Sequence, residues 1–463
     1  MKELPKIIQG GMGAGVSNWK LAQAVSSLGQ LGVVSGTAID QILIRRLQDG
    51  DPEGHMRRAL NAFPIPAIAE DILNTFYIPG GRAPSTPYKI AQSTGLYIAS
   101  NFVEVYLARE GHTNPVGINY LEKIQPPHLP SIYGAMLAGV NTIIMGAGIP
   151  IKIPGILDLY VDHQPASYPL QITGGEAETM HFNPADYLKS PANKLFRPHF
   201  LAIVSSNTLA TTLLKKSNGR VDGFVIETQT AGGHNAPPRG KLQLTESGEP
   251  IYGERDAIDI PKLRELGVPF WLAGGYGRPG MLAHALAQGA AGIQVGTAFE
   301  FAQESGLHDT YKQALIAKAV AGHAEVFTDP LASPTGFPFT VARLEATASE
   351  PEIYAARPRI CDLGFLREAY RTPEGTTAYR CAGEPVTLYT SKGGEAADTI
   401  GRKCICNGLL ANIGQAQTRN GGRTEPPIIT AGDDLTQITQ FLKPNDSTYS
   451  ARSVIETLLQ PNP

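Results

Sequence analysis

Pro269-Phe270-Trp271-Leu272-Ala273-Gly274-Gly275-Tyr276-Gly277-Arg278-Pro279, followed by Gly292-Ile293-Gln294-Val295-Gly296-Thr297, is the stretch that decides the fold. It holds two short apolar runs, each ending in glycine. Between them, Pro279 to Gln288 opens on a proline and stops at Gly289, the start and stop signals of a helix. The runs show almost no polar alternation, as expected of parallel strands covered on both faces. The stretch therefore reads as strand, helix, strand, with a glycine-rich turn at the C-terminal end of each strand.

The same unit recurs upstream. Apolar runs stand at Lys6–Gln9, Leu31–Ser35, Val116–Asn119, Thr142–Met145, Phe200–Val204 and Gly223–Ile226. Helical segments follow several of them: Asn18 to Leu28 behind a Ser17 or Asn18 cap, Asn207 to Lys216 behind Ser205-Ser206, and Ile260 to Leu266 before Gly267. Eight strands alternating with helices predict an α/β fold, a (β/α)8 TIM barrel with lid insertions and a loop-rich C-terminal extension. A doubly wound open sheet is the competing architecture. It fits less well, because the glycine-rich phosphate-type turns come late, and Gly11-Met12-Gly13 has Val16 where a dinucleotide fingerprint needs its third glycine. The barrel is expected over residues 1–325, with insertions at about 50–113 and 160–197, and the extension over 326–463.

Composition narrows the class. The chain has 463 residues, 42% of them hydrophobic, so a sizeable core is available and wholesale disorder is excluded. The 50 glycines and 36 prolines show no collagen period and imply many turns. A net charge of −3 gives no basic face for nucleic acid. The N-terminus lacks the apolar run of a secretion signal, and Leu137 to Leu159 is broken by Asn141, Pro150, Lys152 and Pro154, so a cytoplasmic protein without a membrane span is expected.

In such a barrel, chemistry gathers where strands end. Strand one ends in Gln9-Gly10-Gly11-Met12-Gly13, whose small residues let backbone approach a flat ligand. Strands seven and eight end in Gly274-Gly275 and Gln294-Val295-Gly296-Thr297, a pairing that suits a phosphate. Strand six runs into Glu227-Thr228-Gln229-Thr230-Ala231-Gly232-Gly233-His234, and a histidine after two glycines at a strand end suits proton transfer or substrate orientation.

These four segments, in their order along the chain, resemble the nitronate monooxygenase family, which also contains flavin-dependent enoyl-ACP reductases. The resemblance covers roughly residues 1–320. It implies FMN as cofactor, with Gly10, Gly11 and Met12 against the flavin ring, and Asn119 and Gln229 near it. It implies that Gly274, Gly275, Gln294, Gly296 and Thr297 bind cofactor, the glycines and Thr297 at the phosphate, and that His234 is the catalytic base. The implied reaction is oxidation of alkyl nitronates with O2. The alternative is an FMN- and NAD(P)H-dependent enoyl-thioester reductase of fatty acid or polyketide synthesis, whose insertion and extension would meet a carrier protein. A non-enzymatic flavin binder is the third reading. The oligomeric state is left open.

All four cysteines, Cys361, Cys381, Cys404 and Cys406, lie in the extension. Four thiolates are a donor set for zinc or an iron–sulfur cluster. Their spacing lacks Cys-x-x-Cys knuckles, so reduced, packed thiols and no metal are expected. Ser333-Pro334-Thr335-Gly336-Phe337-Pro338-Phe339 is read as a rigid connection closing over one barrel end.

Overall fold

The computed structural model describes residues 4–188, 193–419 and 421–460. Eight strands form one sheet: β1 (Ile7–Gln9), β2 (Gly32–Ser35), β3 (Val116–Leu121), β4 (Thr142–Gly146), β5 (His199–Val204), β6 (Gly223–Glu227), β7 (Phe270–Ala273) and β8 (Gly292–Val295). Every pairing is parallel, each strand lies beside its neighbour in sequence, and β8 pairs with β1. The remaining gap between β1 and β2 is closed by Gln9 N–H to Leu31 O at 2.9 Å and Leu31 N–H to Ile7 O at 3.1 Å. Gln9 also accepts from Val33 N–H through Oε1 at 2.9 Å. The sheet is thus a closed TIM barrel, as its run of doubly buried strands predicts.

The barrel interior is filled by Ile8, Leu31, Val33, Ile144, Leu201, Val225 and Trp271. Trp271 is 1% exposed and satisfies its indole by donating to Pro5 O at 2.7 Å. A second apolar layer separates strands from helices. Helix Trp19–Ser27 is capped by Asn18, whose side chain accepts from Leu21 N–H, and helix Asn207–Lys216 by Ser206. Two other helices are shorter than their sequence suggests. The helix expected over Ile260–Leu266 ends at Arg264, and the one expected from Pro279 begins at Met281, because Gly280 takes a left-handed φ of 81°.

The first insertion holds helices His55–Asn61, Pro66–Phe76 and Thr94–Arg109. The second adds no α-helix between its strands: Ala166–Leu170 and Glu178–Phe182 form an antiparallel pair. Buried and open positions alternate along both, a period of two that the density of proline and glycine hid.

The C-terminal extension packs onto the barrel and shares its core, through residues such as Leu410, Ile429, Leu435, Phe441 and Val454. Its strands β9 (Val326–Asp329) and β10 (Phe339–Ala342) pair antiparallel. β10 then pairs with Gly233-His234, in the register Gly233 to Thr340 and His234 to Phe339. A second hairpin, β11 (Glu368–Arg371) with β12 (Thr377–Arg380), joins Ile172–Thr173 of the second insertion. Extension and insertion thus meet over the C-terminal rim of the barrel. Among the described residues no helix is long and apolar enough to cross a membrane.

Candidate active site

A cavity of about 500 Å³ opens at that rim. Strand ends form its floor: Gly10, Gly11 and Met12 after β1, Asn119 on β3, Gly274 and Gly275 after β7, and Gln294, Gly296 and Thr297 at the end of β8. His234 lines it too. Ten of the candidate residues therefore converge on one space. Gln229 does not: it is exposed and absent from the lining, because the turn after β6 points it outward.

The floor requires glycine for geometric reasons. A Cβ on Gly11 would collide with Asn119 Cβ, and one on Gly274 with Thr228 Oγ1. Gly274 and Gly275 also sit at φ 83° and 74°, where only glycine is relaxed. The rim carries two further left-handed residues that are not glycine, Ala38 at φ 59° and Ala147 at φ 55°, both lining the cavity. Strain of this kind persists where surrounding structure over-determines the backbone. Asn119 donates through Nδ2 to Gly11 O at 3.2 Å, while its Oδ1 and the Oε1 of Gln294 are buried without partners. Unpartnered acceptors in a cavity wall are what a ligand with N–H or O–H groups satisfies.

The roof comes from the extension. Phe337, Phe339, Phe365, Leu366 and Leu409 make it apolar. His234 Nε2 is hydrogen-bonded to Ser333 Oγ at 2.7 Å, and Ser333 continues to Thr335 Oγ1 at 2.8 Å. Phe339 packs edge-on against the imidazole at 4.9 Å between centroids. Ser333 is fully buried, and Arg402 ties its carbonyl down at 2.9 Å. Burial in this apolar niche pushes His234 down to about 4, so the ring is neutral near pH 7. The sequence placed His234 at a strand end; its partner sits 99 residues away, in a stretch read only as a connection.

Two carboxyls that sequence reasoning left without a role also line the cavity. Glu227, the last residue of β6, is pushed up to about 7 by burial. Glu300, just past Thr297, is 2% exposed, has an unpartnered Oε1, and is held well above the ordinary carboxylate range by burial. A carboxylate ending a buried strand was a readable signal for Glu227. Glu300 gave none.

At the β7–β8 end, residues Thr430–Asp434 of the extension close the wall. Thr297 Oγ1 accepts from Gly432 N–H at 2.9 Å, and Asp433 N–H donates to Thr230 O at 3.1 Å. Asp434 accepts from Gly277 N–H at 2.9 Å, with Arg278 Nε at 3.7 Å from its other oxygen. Gly232 and Gly432 let these segments touch, since a Cβ on either would strike the other's backbone neighbourhood. Glycine turns, a threonine hydroxyl and unpartnered amide oxygens beside a flat, backbone-lined floor fit a ring-bearing cofactor with a phosphate tail. FMN has that shape.

Residues 176–329 match the family described as Nitronate monooxygenase. The chain is 30% identical over 120 residues to the (3aS,4S,5R,7aS)-5-hydroxy-7a-methyl-1-oxo-octahydro-1H-indene-4-carboxyl-CoA dehydrogenase of Rhodococcus jostii (strain RHA1), covering 26% of this chain and 30% of that protein. Among solved structures, it is similar to FabK from Thermotoga maritima, at 15% identity and a TM-score of 0.48, over 99% of this chain and 93% of that one. It is also similar to nitroalkane oxidase from Streptomyces ansochromogenes, at 16% identity and a TM-score of 0.39, over 73% and 76%. The matched stretch, residues 176–329, holds His234 and the glycine turns of β7 and β8.

Proposed function

We propose that this protein is an FMN-dependent oxidoreductase that reduces the double bond of an α,β-unsaturated thioester, with NAD(P)H as the source of electrons. When bound, FMN supplies the hydride chemistry. Gly10, Gly11, Met12 and Asn119 would hold its ring, and Gly274, Gly275, Gly296 and Thr297 its phosphate.

The observation that carries the choice of reaction is the proton inventory of the cavity. Saturating an enoyl thioester asks the protein for a proton at the α carbon. Glu227 keeps its proton to about pH 7, and it lies in the cavity wall. His234 is neutral and shares a proton with Ser333 through Nε2, which suits a hydrogen-bonding group that orients a thioester carbonyl. The roof of Phe337, Phe339, Phe365 and Leu366 suits an acyl chain. The Rhodococcus relative, by its name, acts on a CoA thioester. A carrier-bound or CoA thioester is the substrate class.

The family match favours a second reading, oxidation of alkyl nitronates with O2 and His234 as base. Its difficulty is basicity: a histidine that protonates only near pH 4 is a weak base for removing a proton from carbon. Anaerobic stopped-flow absorbance of the flavin-loaded chain tests both. Bleaching by NADH or NADPH, then recovery of colour on adding crotonyl-CoA, supports thioester reduction. Bleaching by propionate 3-nitronate alone overturns it in favour of the second reading. A chain that stays colourless with FMN overturns both.

A further inference from the structure

At the β7–β8 end of the main cavity the wall is extension rather than barrel, and the stretch Thr430–Phe441 that builds it is firmly held. Gly432 N–H donates to Thr297 Oγ1 at 2.9 Å, Asp433 N–H to Thr230 O at 3.1 Å, and Gln440 Nε2 to Gly277 O at 2.9 Å. On its inner side Ala431, Leu435, Ile438 and Phe441 are buried in the core shared with the barrel. Gly432 allows the close fit, since a Cβ there would lie 2.5 Å from Thr230 O. Bonds to three separate barrel turns and a buried apolar face make this stretch part of the frame of the site, not a loop lying over it.

Two different polar groups meet the cavity there. Thr297 Oγ1 accepts from Gly432 N–H, which leaves its own O–H proton to donate to a phosphate. The turn after β7 is already taken. Its Gly277 N–H and the Arg278 guanidinium are donors suited to an anion, and Asp434 holds both: Oδ2 accepts from Gly277 N–H at 2.9 Å, and Oδ1 stands 3.7 Å from Arg278 Nε. Gly277 lets the carboxyl in, since a Cβ there would come 2.9 Å from Asp434 Oδ2. The Asp434 side chain lines the cavity and is 12% exposed. Burial lifts its carboxyl above the ordinary value, against the pull of Gly277 N–H and Arg278. Asp433 and Glu249 add further negative charge beside it.

The site thus has a place for one phosphate, at Gly274, Gly275, Gly296 and Thr297, and a carboxylate where a longer nucleotide would continue. A second phosphate there would meet like charge. Taking Gly277 N–H for itself would also leave the Asp434 carboxylate without its partner. We propose, resting on the FMN reading above but not on the reaction, that Asp434 makes the site select FMN and reject flavins that continue past the first phosphate, FAD above all. Repulsion built against the wrong ligand is a general route to specificity. The selecting carboxylate lies 157 residues along the chain from the turn it guards. The extension, not the barrel, therefore sets how long a cofactor the barrel accepts.

The test is equilibrium dialysis of the full chain, freed of flavin, against FMN and against FAD at pH 8, where the carboxylate is ionised. The wild-type chain should bind FMN at least about 100-fold more tightly than FAD. Asp434→Asn keeps an oxygen for Gly277 N–H and removes the charge. It should narrow that ratio at least about tenfold, chiefly by a gain for FAD. Asp434→Gly also opens space and should narrow the ratio further; it serves where the asparagine variant does not fold. A wild-type chain that binds both flavins alike overturns the proposal and leaves the FMN reading standing. An unchanged ratio in the variants overturns it too, as does a parallel loss of both flavins, which would mean that Asp434 only supports the fold. A wild-type chain that binds neither flavin overturns the proposal and the FMN reading together.

Discussion

The floor and the roof of the cavity are built on opposite principles. The floor is backbone. Strand ends with glycine bring amides and carbonyls to the ligand, and hydrogen bonds of the barrel hold them in place. The roof is side chain. Phenylalanines, Ser333 and the Thr430–Asp434 segment arrive from far along the chain and depend on packing for their position. The floor therefore sets what class of cofactor fits, and the roof sets which proton and which substrate meet it. His234 belongs to both, carried by a strand end but held by the extension.

The largest expected effect breaks that junction. His234→Ala should lower turnover roughly 10²- to 10⁴-fold while the protein still binds FMN, and unchanged turnover would remove the histidine from the reaction. Next comes the floor. Gly274→Val forces a branched residue to φ 83° and into Thr228. Strain of roughly 1–3 kcal/mol should weaken FMN binding by about ten- to 100-fold, measurable by fluorescence titration. Smaller is the roof's contribution through Ser333. Ser333→Ala removes a hydrogen bond worth about 1 kcal/mol, so turnover should fall several-fold with FMN affinity intact. Equal losses of both would mean that Ser333 supports the fold rather than the histidine. Gln229→Ala should change neither quantity.

Acid–base linkage sharpens the same contrast. His234 ionises lower in the folded chain than its ordinary 6.5, so the unfolded chain binds more protons between about pH 6.5 and 4. Its contribution to stability is whole above that window and is lost as pH falls through it. Glu227 is shifted up, from 4.5 to about 7, so the folded chain binds more protons there, and stability from this group is lost as pH rises. Relative to wild type, His234→Gln should therefore gain stability as pH drops toward 4, and Glu227→Gln as pH climbs toward 8. Urea midpoints at pH 5 and 8 read both, and slopes of the same sign would contradict the assignment.

Much of the barrel was legible because its signals are local. Each strand is a short apolar run, and each glycine turn follows directly, so order along the chain is order around the barrel. The antiparallel pair Ala166–Leu170 with Glu178–Phe182 was harder to see, since its alternation is short and interrupted by Pro169. Helices expected from Pro279 and to Leu266 were each misjudged by two residues, where caps and backbone conformation outweigh propensity.

The sequence by itself determined the closed ring of strands, the glycine floor and the position of His234 at the rim, because periodicity and turn chemistry act between near neighbours. Tertiary structure alone decided that Ser333 holds the imidazole, that Asp434 and Gly432 complete the wall, that Gln229 turns away and that four distant cysteines surround one space. Those contacts join residues far apart in the chain. They exist only once burial of the common apolar core has folded the extension back over the barrel.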